Sequence, residues 1–179
     1  MNEKTKRIFR EYVESILIAL ALALLVRAFV IQAFKIPTGS MRPTLLEGDR
    51  ILVNKFIYRF SEPERGDIVV FKYPENPKRD FIKRLVGKSG DHLEIRNGRL
   101  VVNDEEITAG SLGERYYYNQ GPLGQEGDEQ TVPDNSYFVL GDNSAASRDS
   151  RFWGFVPRRY LVGKALVVYW PPSRIRGLR

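Results

Sequence analysis

Two side chains far apart in this chain have the types needed, together, to break an acyl bond. Ser40 sits in the run Pro37-Thr38-Gly39-Ser40-Met41-Arg42-Pro43-Thr44-Leu45, just beyond an apolar segment of membrane length. Lys83 sits in Phe81-Ile82-Lys83-Arg84-Leu85-Val86. A serine hydroxyl is a poor nucleophile until a neighbouring base takes its proton. The pool of bases is small, because the chain has no cysteine and a single histidine, His92. That composition also excludes disulfides, thiolate zinc sites, a cysteine nucleophile and a histidine-rich metal site. No metal and no cofactor are expected. A lysine held neutral by burial is the remaining partner, and the pairing suggests a membrane-bound Ser–Lys hydrolase.

Each residue also has a plainer reading. If residues 80–86 are extended, Phe81, Lys83 and Leu85 share one face, and Ile82, Arg84 and Val86 the other. Lys83 then stands between apolar neighbours while Arg84 points away. Desolvation disfavours the ammonium, and moving its pKa from about 10.4 to near 7.5 takes roughly 4 kcal/mol. The same periodicity equally fits an edge lysine that snorkels from a half-buried strand. Gly-Ser beside prolines is ordinary turn chemistry, although Gly39 would let the backbone approach a substrate and Thr38 could bring a second hydroxyl. A third segment, Gly141-Asp142-Asn143-Ser144-Ala145-Ala146-Ser147-Arg148-Asp149-Ser150-Arg151-Phe152-Trp153-Gly154, is dense in hydrogen-bonding groups. Burying it would be expensive unless every group were satisfied. It reads as a solvated loop closed by an Asp149–Arg151 pair, or as a network that orients the two reactive side chains.

The elements that must position these residues fall into two kinds. Lys4, Lys6, Arg7 and Arg10 precede an apolar run over 15–34, interrupted by Arg27. About twenty such residues suffice to cross a bilayer as a helix, with Arg27 able to snorkel to the headgroups. The basic end is expected on the cytoplasmic side, which places everything after residue 34 outside. A cleavable signal peptide and a buried core helix are the competing readings of the run. After it come short β-rich runs bounded by turn residues. Leu93-Glu94-Ile95-Arg96 and Arg99-Leu100-Val101-Val102 flank Asn97-Gly98, a type I′ hairpin signal. Residues 104–135 are polar and glycine-rich and read as a surface excursion with little core. The aromatic group Phe152-Trp153-Gly154-Phe155 fits either the bilayer surface or core packing. The expected fold is mainly β, an antiparallel and partly barrel-like domain over 35–179, preceded by one transmembrane helix over 15–34 and a basic segment over 1–14.

Net charge is +6, from 28 Lys and Arg against 22 Asp and Glu. Basic clusters at the amino end and in Arg174-Ile175-Arg176-Gly177-Leu178-Arg179 suit anionic lipid headgroups. No basic helix or aromatic RNA-binding motif supports nucleic acid as a partner.

Five segments in order resemble the motif boxes of bacterial type I signal peptidases. They are Pro37 to Leu45, Gly48 to Lys55, Arg65 to Phe71, Phe81 to Asp91 and Gly141 to Pro157. The resemblance spans nearly the whole chain after the apolar run. It implies a serine endopeptidase anchored in the plasma membrane, or in a thylakoid membrane, that removes signal peptides from exported pre-proteins. It implies Ser40 as nucleophile and Lys83 as general base, with the Thr38 hydroxyl and the Ser40 amide as the oxyanion hole. Ser147 matches the serine that orients the lysine amine, and Asp142, Asp149 and Arg151 match the supporting network. Phe34, Ile36, Met41, Leu45, Ile51, Val70, Phe81 and Ile82 fall where the family builds shallow pockets for small side chains. One departure is Ser144-Ala145-Ala146, where a more polar triplet is common.

Three rivals are weighed against this. Penicillin-binding and β-lactamase-like proteins place lysine three residues after the serine, where this chain has Pro43. Self-cleaving repressor-type peptidases share the dyad but lack an anchor. A membrane-tethered β module that only binds peptides would need neither a neutral lysine nor an oxyanion donor.

Overall fold

A computed structural model describes residues 3–178, with the side chains of 3, 5, 6 and 25–29 left aside. Helix α1 (Glu3–Phe29) leads into twelve strands. The Leu and Ala of residues 19–24, none branched at Cβ, favour the helix, and exposed pairs Arg7–Glu11 (3.2 Å) and Arg10–Glu14 (2.7 Å) brace its first turns. Ile16, Leu17, Ile18, Leu20, Leu22 and Leu24 are all exposed.

The helix stops short of the expected 15–34 span. Ile31–Lys35 is instead strand β1, paired antiparallel with β2 (Arg50–Asn54) from Ile31 opposite Asn54 to Lys35 opposite Arg50. The reason is a period of two hidden inside an apolar run: Gln32 and Phe34 turn inward while Ile31, Ala33 and Lys35 stay exposed. Among the described residues, no helix is long and apolar enough to cross a membrane. Lys6 of the basic end and Arg27, expected to snorkel, lie outside the described side chains.

The other strands are β3 (Ile68–Tyr73), β4 (Asn76–Gly87), β5 (His92–Arg96), β6 (Arg99–Val102), β7 (Glu105–Glu106), β8 (Gln130–Thr131), β9 (Ser136–Leu140), β10 (Val156–Pro157), β11 (Leu161–Trp170) and β12 (Arg176–Gly177). They form two sheets, one in the order β1-β2-β11-β3-β4-β9-β10 with β12 beside β11, the other β7-β6-β5-β8. Every pairing is antiparallel. The hairpin expected at Asn97-Gly98 joins β5 to β6, with positive φ of 52° and 74° at the turn, as a type I′ turn requires.

The barrel-like expectation is corrected, because neither sheet path closes among the described residues. β4 pairs with β3 from Asn76 onward but with β9 only from Arg84, so Phe81, Ile82 and Lys83 are unpaired on the β9 side.

Residues 104–135 are more than a surface excursion. Leu112 on the short helix α2 (Gly110–Gly113), Tyr117 and Val132 are buried in one cluster with Val86, Leu93, Ile95, Leu100 and Phe138. Three anchors in a polar, glycine-rich stretch leave no periodic signal, which hid them. The aromatic group also belongs to the core: Trp153, at the end of helix α3 (Ser150–Trp153), packs 5.8 Å from the rings of Phe71 and Tyr73, and Phe155 packs 5.8 Å from Phe138. The basic tail is partly docked, with Arg174 on Asp49 (2.9 and 3.0 Å) and Arg176 donating to the Thr44 carbonyl.

If the 104–135 arm folds with the domain, removing its largest anchor should destabilise the whole. Tyr117 is 1% exposed, and Tyr117→Ala is expected to cost about 3–5 kcal/mol in denaturant unfolding. A change within about 0.5 kcal/mol, ordinary for a surface position, would detach the arm from the core.

Candidate active site

Ser40 lies in a single 3₁₀ turn, Gly39–Met41, that follows β1. Met41, fully buried, holds the turn down, and the Leu45 N–H donates to the Met41 carbonyl at 2.8 Å. Lys83 comes from the β4 side, opposite Val69 of β3. The strand alternation holds here: Phe81 and Leu85 pack in one cluster with Val69 and Phe71, while Ile82 packs against another. The two segments meet at one contact. Lys83 Nζ stands 2.6 Å from Ser40 Oγ.

Lys83 is 4% exposed, which decides against the snorkelling reading. Burial pushes its pKa down to about 8; Asp149 and Asp142 push the other way, and Arg151 pulls with burial. The Nζ also lies 5.8 Å from the centre of the Phe81 ring. About a tenth of the amine is then neutral at pH 7, far more than for an ordinary lysine, and the amine stands within hydrogen-bond reach of the serine hydroxyl. Thr38 Oγ1 lies 3.5 Å from Ser40 Oγ, so the two hydroxyls sit side by side.

The 141–154 segment is a largely buried hydrogen-bonded network and not a solvated loop, although Ser147 Oγ and Trp153 Nε1 are buried in it without a partner. Asp149 and Arg151 are both fully buried and share two bonds of 2.8 Å. Asp149 also accepts the Gly141 N–H at 3.0 Å and caps α3 through the Arg151 N–H. Arg151 spends its remaining donors on the carbonyls of Tyr118 (2.7 Å) and Ser144 (2.9 Å) and on Ser144 Oγ (2.9 Å). Ser144 is thus a full member of the network, while Ala145 and Ala146 are exposed and outside it. Asn143 ties this segment to the Ser40 turn: its N–H donates to the Ser40 carbonyl (3.0 Å) and its amide to the Gly39 carbonyl (3.1 Å).

Gly141 is required by close approach. A Cβ there would come within 2.1 Å of Ser147 Oγ and 2.6 Å of the Ser40 carbonyl oxygen. Ser147 therefore lies beside the Ser40 backbone. Its hydroxyl is buried without a hydrogen-bond partner, so the bond to the Lys83 amine that the resemblance implies is not made in this arrangement.

Asp142 shows what sequence reasoning missed. Arg84, read there only as pointing away from Lys83, is 1% exposed. It grips Asp142 with two bonds of 2.8 and 2.7 Å and donates to the Gly66 carbonyl at 2.7 Å. Arg115, from the 104–135 arm, reaches the same carboxylate at 3.0 Å and Thr44 Oγ1 at 3.0 Å, and Thr44 donates to Asp142 in turn. The signal for Arg84 was present, since it alternates with apolar Ile82 and Val86 on a face that a charge can share only with a counter-charge. Arg115 had no comparable signal.

The eight pocket candidates divide in two. Ile36, Met41, Leu45, Ile51 and Val70 are buried in one core cluster, with half-buried Phe34 and Ile82 packed against it. Phe81 belongs to a separate cluster and stacks on Tyr73 at 4.3 Å. The half-buried three, Phe34, Phe81 and Ile82, are reachable from solvent, and the buried five pack as a floor.

Residues 9–170 match the family described as "Signal peptidase, peptidase S26". The chain is 37% identical to the Signal peptidase I of Aquifex aeolicus (strain VF5), over 90% of this chain and 84% of that protein. It is 41% identical to the Signal peptidase I of Leptolyngbya laminosa, over 94% of this chain and 83% of that one. A crystal structure of a signal peptidase I from Enterococcus faecalis V583 is 32% identical, covers 58% of this chain and 97% of its own, and has a TM-score of 0.49.

Two outcomes follow from the state of Lys83. If its neutral form is the base, kcat/KM should rise with pH through a midpoint near 8; a flat profile from pH 6 to 10 would remove that role. The folded pKa lies below the unfolded one, so the unfolded chain binds more protons between about 8 and 10.5, and stability should climb with pH in that window. Below it the deficit is about 3 kcal/mol. Lys83→Met should therefore abolish activity yet raise stability at pH 7 by an amount of that order. A destabilised Lys83→Met would mean that the buried amine is not under strain.

Proposed function

This chain belongs to the signal peptidase family, peptidase S26, and we propose that Ser40 and Lys83 carry its cleavage of signal peptides from exported pre-proteins at a membrane surface. The observation that supports this most is the 2.6 Å contact between Ser40 Oγ and a buried lysine amine. Neutral Lys83 takes the Ser40 proton as the hydroxyl oxygen attacks the carbonyl carbon of the residue before the cleaved bond. The oxyanion that forms accepts from the Thr38 hydroxyl and the Ser40 N–H. Lys83 then gives the proton to the leaving amine. Water repeats the sequence on the acyl-enzyme, releasing the signal peptide and restoring both groups.

The substrate binds extended, as an added strand. The unpaired edge of β4 at Phe81–Lys83 offers backbone groups for it next to the dyad. Half-buried Phe34, Phe81 and Ile82, over the floor of Ile36, Met41, Leu45, Ile51 and Val70, suit small side chains at the first and third positions before the cut. Ser147, with a buried hydroxyl that has no other partner, turns to Lys83 to orient its amine. Asp142, Asp149 and Arg151 hold the frame.

Helix α1 carries the anchor, and its exposed Ile and Leu face lipid on all sides. The basic amino end stays in the cytoplasm and the β domain, from β1 onward, lies on the outer face of a plasma membrane or the equivalent side of a thylakoid membrane.

Purified full-length protein incubated with a pre-protein should yield one new amino terminus after a small residue. Ser40→Ala should abolish this, as should Lys83→Arg, because a guanidinium does not deprotonate in a protein. Thr38→Val should lower kcat by about 10²–10³ with little change in KM, and Thr38→Ser should keep most of the activity. Undiminished kcat in Thr38→Val would reduce Thr38 to a turn residue, and turnover by Lys83→Arg would exclude lysine as the base.

A further inference from the structure

A cavity of about 440 Å³ is lined by Lys55, Tyr58, Arg59, Lys72, Asp80 and Arg158. Its walls carry four cations against one carboxylate. Asp80 pairs with Lys72 at 2.7 Å, and Arg158 is held by Glu62 at the rim. Counting Glu62 as well, the formal charge of the site remains +2. Guanidinium and ammonium groups converging on one concavity suit phosphate oxygens, which take several charge-assisted bonds at once.

The position of the cavity is the second observation. Lys55, at its wall, donates its backbone N–H to the Val30 carbonyl at 2.9 Å, immediately after the end of α1. The turn between, Ile57–Arg59, is flanked by two exposed aromatic rings, Phe56 (36%) and Phe60 (76%), which contact each other at 4.7 Å. Arg59 lies over the Phe56 ring at 5.5 Å. Apolar rings beside a cationic pocket, at the point where the helix enters the domain, match a layer in which acyl chains border phosphates.

We propose that this cavity is a phosphate-binding site, taking either the headgroup of an anionic lipid at the membrane surface or free phosphate. The lipid source rests on the membrane anchoring proposed above; the phosphate chemistry does not.

The test uses the full-length protein in a non-ionic detergent, titrated separately with dihexanoyl phosphatidylglycerol and with inorganic phosphate and followed by calorimetry. Saturable binding of the lipid with little affinity for inorganic phosphate would support the site and identify a headgroup as its ligand. Saturable binding of inorganic phosphate at comparable affinity would support the site and identify the free anion. In either case Lys55→Gln/Arg59→Gln should weaken binding about tenfold. Asp80→Asn, which removes the acid facing Lys72, should tighten it. Pre-protein cleavage in detergent should be unchanged in Lys55→Gln/Arg59→Gln, because neither residue is placed in the cleavage machinery. Loss of the phosphate site would thus leave the proposed reaction standing. No saturable binding of either probe, or binding indifferent to both variants, would overturn the proposal.

Discussion

Removing the Lys83 ammonium from water works against the fold by about 3 kcal/mol at neutral pH, and much of the domain exists to sustain that state. Two carboxylates, Asp142 and Asp149, raise the lysine's pKa. A bare carboxylate about 6 Å away at an effective dielectric of about 20 would favour the ammonium by roughly 3 kcal/mol, enough to cancel the burial. Neither carboxylate is bare. Arg84 and Arg115 take Asp142, and Arg151 takes Asp149 with two bonds. The arginines leave the carboxylates structurally useful while blunting their pull on Lys83.

The same ion pairs hold the Ser40 turn in place. Arg115 links the 104–135 arm to Thr44 and Asp142, so the arm braces the segment that follows Ser40. Asp149 fixes Gly141, and Asn143 fixes the carbonyls of Gly39 and Ser40. Gly141 lets that segment close up to Ser147 and the Ser40 backbone where any Cβ would collide. Buried charge of this density adds little net stability. Its value here lies in placing two reactive atoms 2.6 Å apart, where loss of any partner would leave an uncompensated charge.

Much of this was legible in the sequence, and the gaps have physical causes. Ser40 and Lys83 stood out because the absence of cysteine and the single histidine left few bases, and because strand alternation set Lys83 between Phe81 and Leu85. The β5–β6 hairpin was readable because Asn-Gly has one favoured turn geometry. The end of α1 was misjudged because β1 is apolar enough to look like its continuation. Sheet closure was beyond reach, since which strands end the sheet, here β1 and β10, depends on long-range pairing. Arg115 and the anchors Leu112 and Tyr117 lie in a stretch without periodicity, and only their tertiary partners reveal them.

The central claim is that the buried amine beside Ser40 gives up its proton far more readily than an ordinary lysine. Full-length protein with ¹³C-labelled lysine, titrated by NMR from pH 6 to 11 and compared with Lys83→Met to assign the resonance, reads that amine directly. The account predicts one lysine with a midpoint near 8, well below the rest near 10.4. A Lys83 midpoint above 10 would contradict it.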